Sequence, residues 1–165
     1  MATETTIRAE PGTRNIVLTR IIGAPRDQVY EAWTQPEHVT RWWDPAGKPL
    51  AACVIDLRPG GAFQFVNDRP EGGESFAGVY RELSPPERIV FNSNGLIGTV
   101  VFIEDGTQTR LVVSIECKSE AERDQLLKIG VAVGTARTLD NLAGYALWDP
   151  RQLSEALGGS RRETR

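Results

Sequence analysis

A chain of 165 residues with 40% hydrophobic and 25% charged side chains is long enough to bury one core and has the composition of an ordinary globular domain. A formal charge of −3 and a pI near 5.3 leave no basic excess to hold nucleic-acid phosphates, and no run of about 18 apolar residues is present to span a membrane. One histidine, His38, excludes a multi-histidine metal centre and a histidine relay, and Cys53 and Cys117 match no metal or redox spacing. The two cysteines lie in apolar runs and are expected as reduced, buried thiols. The polar, acid-bearing start MATETTIRAE lacks a signal-peptide core, so the protein is expected in the cytoplasm.

In chain order, residues 1–12 end in Pro11-Gly12 and read as a flexible leader. Asn15–Ile22 (NIVLTRII) is β-branched and aliphatic, the pattern of a strand. Ala24-Pro25 breaks it, and Val29, Tyr30 and Trp33 mark a short amphipathic helix opened by Pro25. Thr34 and Glu37, three apart around Pro36, have the form of a capping box for a second short helix reaching Trp43. Strands are then expected over 52–57, 62–67, 74–82, 88–93, 97–104 and 109–117. Arg58-Pro59-Gly60-Gly61 and Asp105-Gly106 supply turns between them.

The last long pattern runs from Ser119 to Leu147. Ser119 and Glu122 form a capping box, and acidic Glu120, Glu122 and Asp124 suit the positive end of the helix dipole. Ala132, Ala136, Leu139, Ala143 and Ala146 recur at helical spacing, with Leu142 widening the apolar face. From Ala132 to Leu147 such a helix is roughly 24 Å long, enough to cross a sheet. Gly130 and Gly134 weaken its start by about 1 kcal/mol each relative to Ala. A bend there or a close approach to the sheet would account for them equally. Residues 148–165 read as a basic tail. The order of one strand, two short helices, about six strands and a long helix predicts an α+β grip. In it, a curved antiparallel sheet of about six or seven strands wraps a long C-terminal helix in a single domain over 13–147.

Four segments match a known family in order and spacing: APRDQVYEAWTQPEHVTRWW (24–43), DLRPGGAFQF (56–65), FAGVYRELSPPERIVF (76–91) and TLDNLAGYAL (138–147). Together they resemble the single-domain homologues of the heat-shock protein 90 ATPase activator, within the SRPBCC or START-like group that shares the Bet v 1-like helix-grip fold. The resemblance implies an apolar cavity between sheet and helix that takes lipids, sterols, polyketides or other small hydrophobic molecules. A minority of the group carries out cyclisation or hydrolysis there, and the family name implies stimulation of a heat-shock ATPase. Many of its members are dimers, so a homodimer is expected, with edge strands such as Asn15–Ile22 in need of cover. One departure stands out. Where the family often has a Gly-Trp pair early in the long helix, this chain reads Gly134-Thr135, and loss of the indole would enlarge or open the cavity.

The candidate ligand-binding residues are Trp42, Trp43, Phe63, Phe65, Phe76, Tyr80, Phe91, Thr135, Leu139 and Leu142. Trp42 and Trp43 diverge by about 100° on a helix, which would give one a structural role and the other the cavity. The strand aromatics fit a solid core as well as a cavity wall, and Tyr80 brings a polar tip to an apolar pocket. Tyr80 and Glu82, on one strand face, are the weak catalytic candidates. Asp56 and Arg58 read as a solvated pair. No nucleophile elbow, phosphate loop or dinucleotide fingerprint is present, and neither a metal nor a cofactor is expected. The leading expectation is binding of a small hydrophobic molecule. The alternatives are a cyclase- or hydrolase-type enzyme in the same cavity and a co-chaperone with a chaperone partner.

Overall fold

In the computed structural model, residues 4–72 and 75–146 are described; the expected tail at 148–165 lies outside them. Eight strands form one sheet: β1 (Thr6–Arg8), β2 (Asn15–Ile22), β3 (Ala52–Ile55), β4 (Ala62–Val66), β5 (Ser75–Ser84), β6 (Arg88–Ser93), β7 (Leu96–Asp105) and β8 (Gln108–Glu116). All neighbours are antiparallel, in the order β1-β2-β8-β7-β6-β5-β4-β3. The helices are α1 (Arg26–Thr34), α2 (Pro36–Trp42), α3 (Glu120–Lys128) and α4 (Val131–Ala146).

The alternation along β2 decides which side of the sheet is covered. Ile16, Leu18 and Ile22 are fully buried, and they share a core with Val100 and Phe102 of β7, Leu111 of β8, and Leu139 and Leu142 of α4. The α4 helix lies against β2, while α1 and α2 close the same side from the other flank. The β7–β8 hairpin turns through Gly106-Thr107, with Asp105 paired to Gln108 and Gly106 at φ 64. That places the glycine first in a two-residue loop, where positive φ is required.

Three expectations need correcting. The leader is not free: Thr6, Ile7 and Arg8 pair with Thr19, Leu18 and Val17, which adds an eighth strand and takes β2 off the edge. Arg123 reinforces it by donating from Nη1 to the carbonyls of Glu10 and Thr13, both at 2.7 Å. Polar composition hid this strand, because its stability comes from backbone pairing and not from buried side chains. Thr34 does not cap α2. It ends α1 and donates to the Tyr30 carbonyl at 2.9 Å, and Gln35 holds the N-cap position with Pro36 in the first turn.

Finally, the long helical pattern is two helices. Ser119 caps α3 by accepting from the Glu122 amide at 3.0 Å, and Gly130 at φ 88 separates α3 from α4. A Cβ at Gly130 or Gly134 would meet nothing within 4 Å, so neither glycine serves close packing on the sheet. Gly130 is there for its conformation. Gly130→Ala should therefore destabilise the fold by about 1–2 kcal/mol, the cost of forcing an L-residue into left-handed backbone. The check is a urea melt, in which the midpoint falls and the slope is unchanged.

Candidate functional site

Between the sheet and the first half of α4 lies a cavity of about 350 Å³. Its floor comes from Phe91 and Ser93 of β6, Leu96, Gly98 and Val100 of β7, and Val113 and Ile115 of β8. Its roof is Val131, Gly134, Thr135, Thr138 and Leu139 of α4; Trp33, Trp43, Pro45, Asn67, Ser75 and Phe76 close one side. Local sequence explains the space. On the sheet, Gly98 pairs directly across from Phe91, and a Cβ there would lie 2.2 Å from the Phe91 ring. The ring thus lies down over β7, as aromatics do over strand glycines. On the helix, Gly134, Thr135 and Thr138 present small side chains where Leu139 and Leu142, a turn later, fill the interior.

The structure divides the sequence-predicted residues into two groups. Trp43, Phe76, Phe91, Thr135 and Leu139 line the cavity. Trp42, Phe63, Phe65, Tyr80 and Leu142 are buried in the core around it. The adjacent tryptophans diverge as their spacing dictates. Trp42 is fully buried and its Nε1 donates to the Ala32 carbonyl at 3.1 Å. Trp43 stands against Phe65 and Phe76, with ring centroids 4.8 and 5.2 Å away. Phe63 supports the wall from behind, packing on Phe65, Phe76, Tyr80 and Phe91.

Tyr80 is 4% exposed, and burial pushes its hydroxyl well above the ordinary tyrosine range. Glu82 follows a register shift in the β5–β6 pairing, is half-exposed, and pairs with Arg88 at 3.4 Å and the Ser84 hydroxyl at 3.0 Å. Asp56 and Arg58 form an exposed pair at 2.9 Å. Cys53 and Cys117 are free thiols, and burial raises the Cys53 thiol to about 11. Among the described residues no cluster of three or more His, Cys, Asp or Glu side chains could hold a metal ion.

Sequence reasoning missed Trp33, Ser93, Thr138 and the clamp that joins α4 to the end of α2. The Thr138 hydroxyl donates to the Trp43 carbonyl at 3.0 Å, and Asn141 Nδ2 donates to the Asp44 carbonyl at 2.9 Å. Asp44 is fully buried; its carboxylate takes two bonds from Arg69, at 2.7 and 2.9 Å, and one from the Ala46 amide at 2.9 Å. The hydrogen bonds from Arg69 hold the Asp44 carboxyl below the ordinary carboxylate range, outweighing burial, which acts the other way. Helical spacing of Thr138 and Asn141 was visible in the sequence; their acceptors, nearly a hundred residues earlier, were not.

A curved antiparallel sheet gripping a long helix about an internal cavity defines a helix-grip protein. Comparison with known proteins agrees and narrows this. The sequence profile of the family described as Activator of Hsp90 ATPase homolog 1-like protein matches residues 23–146, and the chain belongs to that family, within the SRPBCC superfamily. Curated proteins gave no match. Among solved structures, a Rhodobacter sphaeroides protein is similar at 21% identity, with 86% of this chain and 98% of that one covered and a TM-score of 0.77. A Nitrosomonas europaea protein is similar at 21% identity, 82% and 96% coverage and a TM-score of 0.74. One from Chromobacterium violaceum reaches 29% identity, 82% and 98% coverage and a TM-score of 0.64. Among the described residues no helix is long and apolar enough to cross a membrane.

The lowered Asp44 carboxyl makes a pH prediction. Its stabilising effect is complete above the ordinary aspartate value of about 4 and is lost as pH falls through the depressed folded value. Asp44→Asn should lower stability by about 1.5–3 kcal/mol at neutral pH, the range for hydrogen bonds to a charged group. Denaturant melts at pH 7 and near pH 3 check the sign: the gap between wild type and variant should narrow in acid.

Proposed function

We propose that this protein binds a small hydrophobic molecule in the cavity between the sheet and α4. The observation that carries the reading is the cavity itself. Its volume of about 350 Å³ falls within the roughly 300–1,000 Å³ of small-molecule sites. Its walls are dominated by Trp33, Trp43, Phe76, Phe91 and aliphatic side chains, with a few polar groups among them. Proteins of this fold family commonly bind hydrophobic ligands, which points the same way. The enzyme and co-chaperone readings draw no support from the cavity, whose described lining holds no ionisable side chain to act as acid or base. The free thiols of Cys53 and Cys117 fit a reducing compartment and support a cytoplasmic location. For a homodimer, the sheet offers two edges, the short β1 and β3, of which β3 carries Val54 at 60% exposure.

Thr135→Trp tests the reading by restoring an indole to the roof. Wild type should bind a neutral fluorescent probe, phenylnaphthylamine, saturably, and the variant should bind it at least about tenfold more weakly with an unchanged melting temperature. An equal affinity in both proteins, or no saturable binding by wild type, would contradict the proposal.

A further inference from the structure

The cavity wall selects for more than hydrophobicity. None of its described lining side chains is ionisable, so none of them can neutralise a charged ligand. An ion taken out of water without a partner is disfavoured far more than a neutral group of the same size. The hydroxyls on the wall, unlike the indole N–H groups of Trp33 and Trp43, carry a second restriction, because a hydroxyl has one proton to give and two lone pairs to receive. Thr135 donates its proton to the Val131 carbonyl at 2.8 Å, and Ser93 donates to the Ala77 carbonyl at 2.6 Å. Thr138 has the carbonyls of Trp43 at 3.0 Å and Gly134 at 3.1 Å as its acceptors. Asn67 bonds to the Asp44 carboxylate. Ser75, at the exposed rim, accepts from Gln64 Nε2 at 3.0 Å. The inner hydroxyls, on the helix roof and the β6 floor, therefore face the cavity as acceptors.

We infer that the ligand is uncharged and brings its own hydrogen-bond donor: an alcohol or phenol on an apolar body, as opposed to a fatty acid or other carboxylate. This rests on the binding reading above. A hydroxyl-bearing ligand gives its proton to Thr135 or Ser93 while its body packs against Phe91, Trp43 and Val113. A carboxylate meets no cation among the described lining residues, so it loses its hydration without a charge to replace it.

The test is a matched series on one apolar body: naphthylmethanol, its methyl ether, naphthoate and methylnaphthalene. Each is titrated at neutral pH into the full chain by displacement of phenylnaphthylamine and by saturation-transfer NMR. The alcohol should bind at least about tenfold more tightly than naphthoate and about threefold more tightly than the ether. In Thr135→Val or Ser93→Ala the alcohol should fall to the level of the ether, with methylnaphthalene affinity unchanged as the sign of an intact cavity. Naphthoate binding as tightly as the alcohol would overturn the inference, and so would an alcohol preference that survives both substitutions. If methylnaphthalene binds and no discrimination follows, the inference falls and the binding reading stands. If none of the four binds, both fall.

Discussion

The structure depends on how the end of α2 is tied to α4. A helix C-terminus leaves carbonyls without intrahelical partners, and the α2 terminus, packed among aromatic rings, cannot leave all of them to water. Thr138 satisfies the Trp43 carbonyl from across the fold, and Asn141 adds a second bond to the Asp44 carbonyl, which also accepts from the Gly47 amide. The same residue, Asp44, holds Arg69 of the β4–β5 connection through its buried carboxylate. One short stretch therefore joins the long helix, the short helices and a loop of the sheet. It fixes where α4 sits before any ligand is considered.

With that position set, side-chain size along α4 decides what is solid and what is hollow. The second half of the helix drives Leu142, Ala143 and Ala146 into the core. The first half offers Gly134, Thr135 and Thr138, too small to reach the sheet, and the floor beneath is lowered where Phe91 lies over Gly98. The cavity is the space between a well-anchored helix and a sheet whose tallest side chains have been laid flat. Protein interiors are otherwise packed nearly as densely as organic crystals, so an opening of about 350 Å³ sets this region apart from the core around it.

Most of the fold was legible in the sequence. The β6 strand and β2 fall where alternation and β-branching put them, and the Ser119–Glu122 cap starts α3 as expected. β1 was hidden because a polar edge strand carries no periodic apolar signal. The break at Gly130 was legible only as a weakness, since glycine content reports conformational freedom and not which angle is used. The site was half legible. Trp43, Phe76, Phe91, Thr135 and Leu139 were singled out and line the cavity, whereas Phe63, Phe65, Tyr80, Trp42 and Leu142 share their chemistry but sit behind the wall. Alternation assigns a face; it does not say which part of that face meets open space. Thr138 and Ser93 were passed over because isolated hydroxyls have no distinguishing pattern until their acceptors are placed.

The central claim, that the cavity is built to hold a small apolar molecule, is tested most directly by native mass spectrometry. The protein would be taken fresh from its own host, set beside a denatured spectrum, and repeated after incubation of the stripped protein with a small-molecule extract of that host. The account predicts an excess mass that disappears on denaturation, returns after incubation, and corresponds to an uncharged hydroxyl-bearing compound. A protein that shows only its bare mass under both conditions would contradict it.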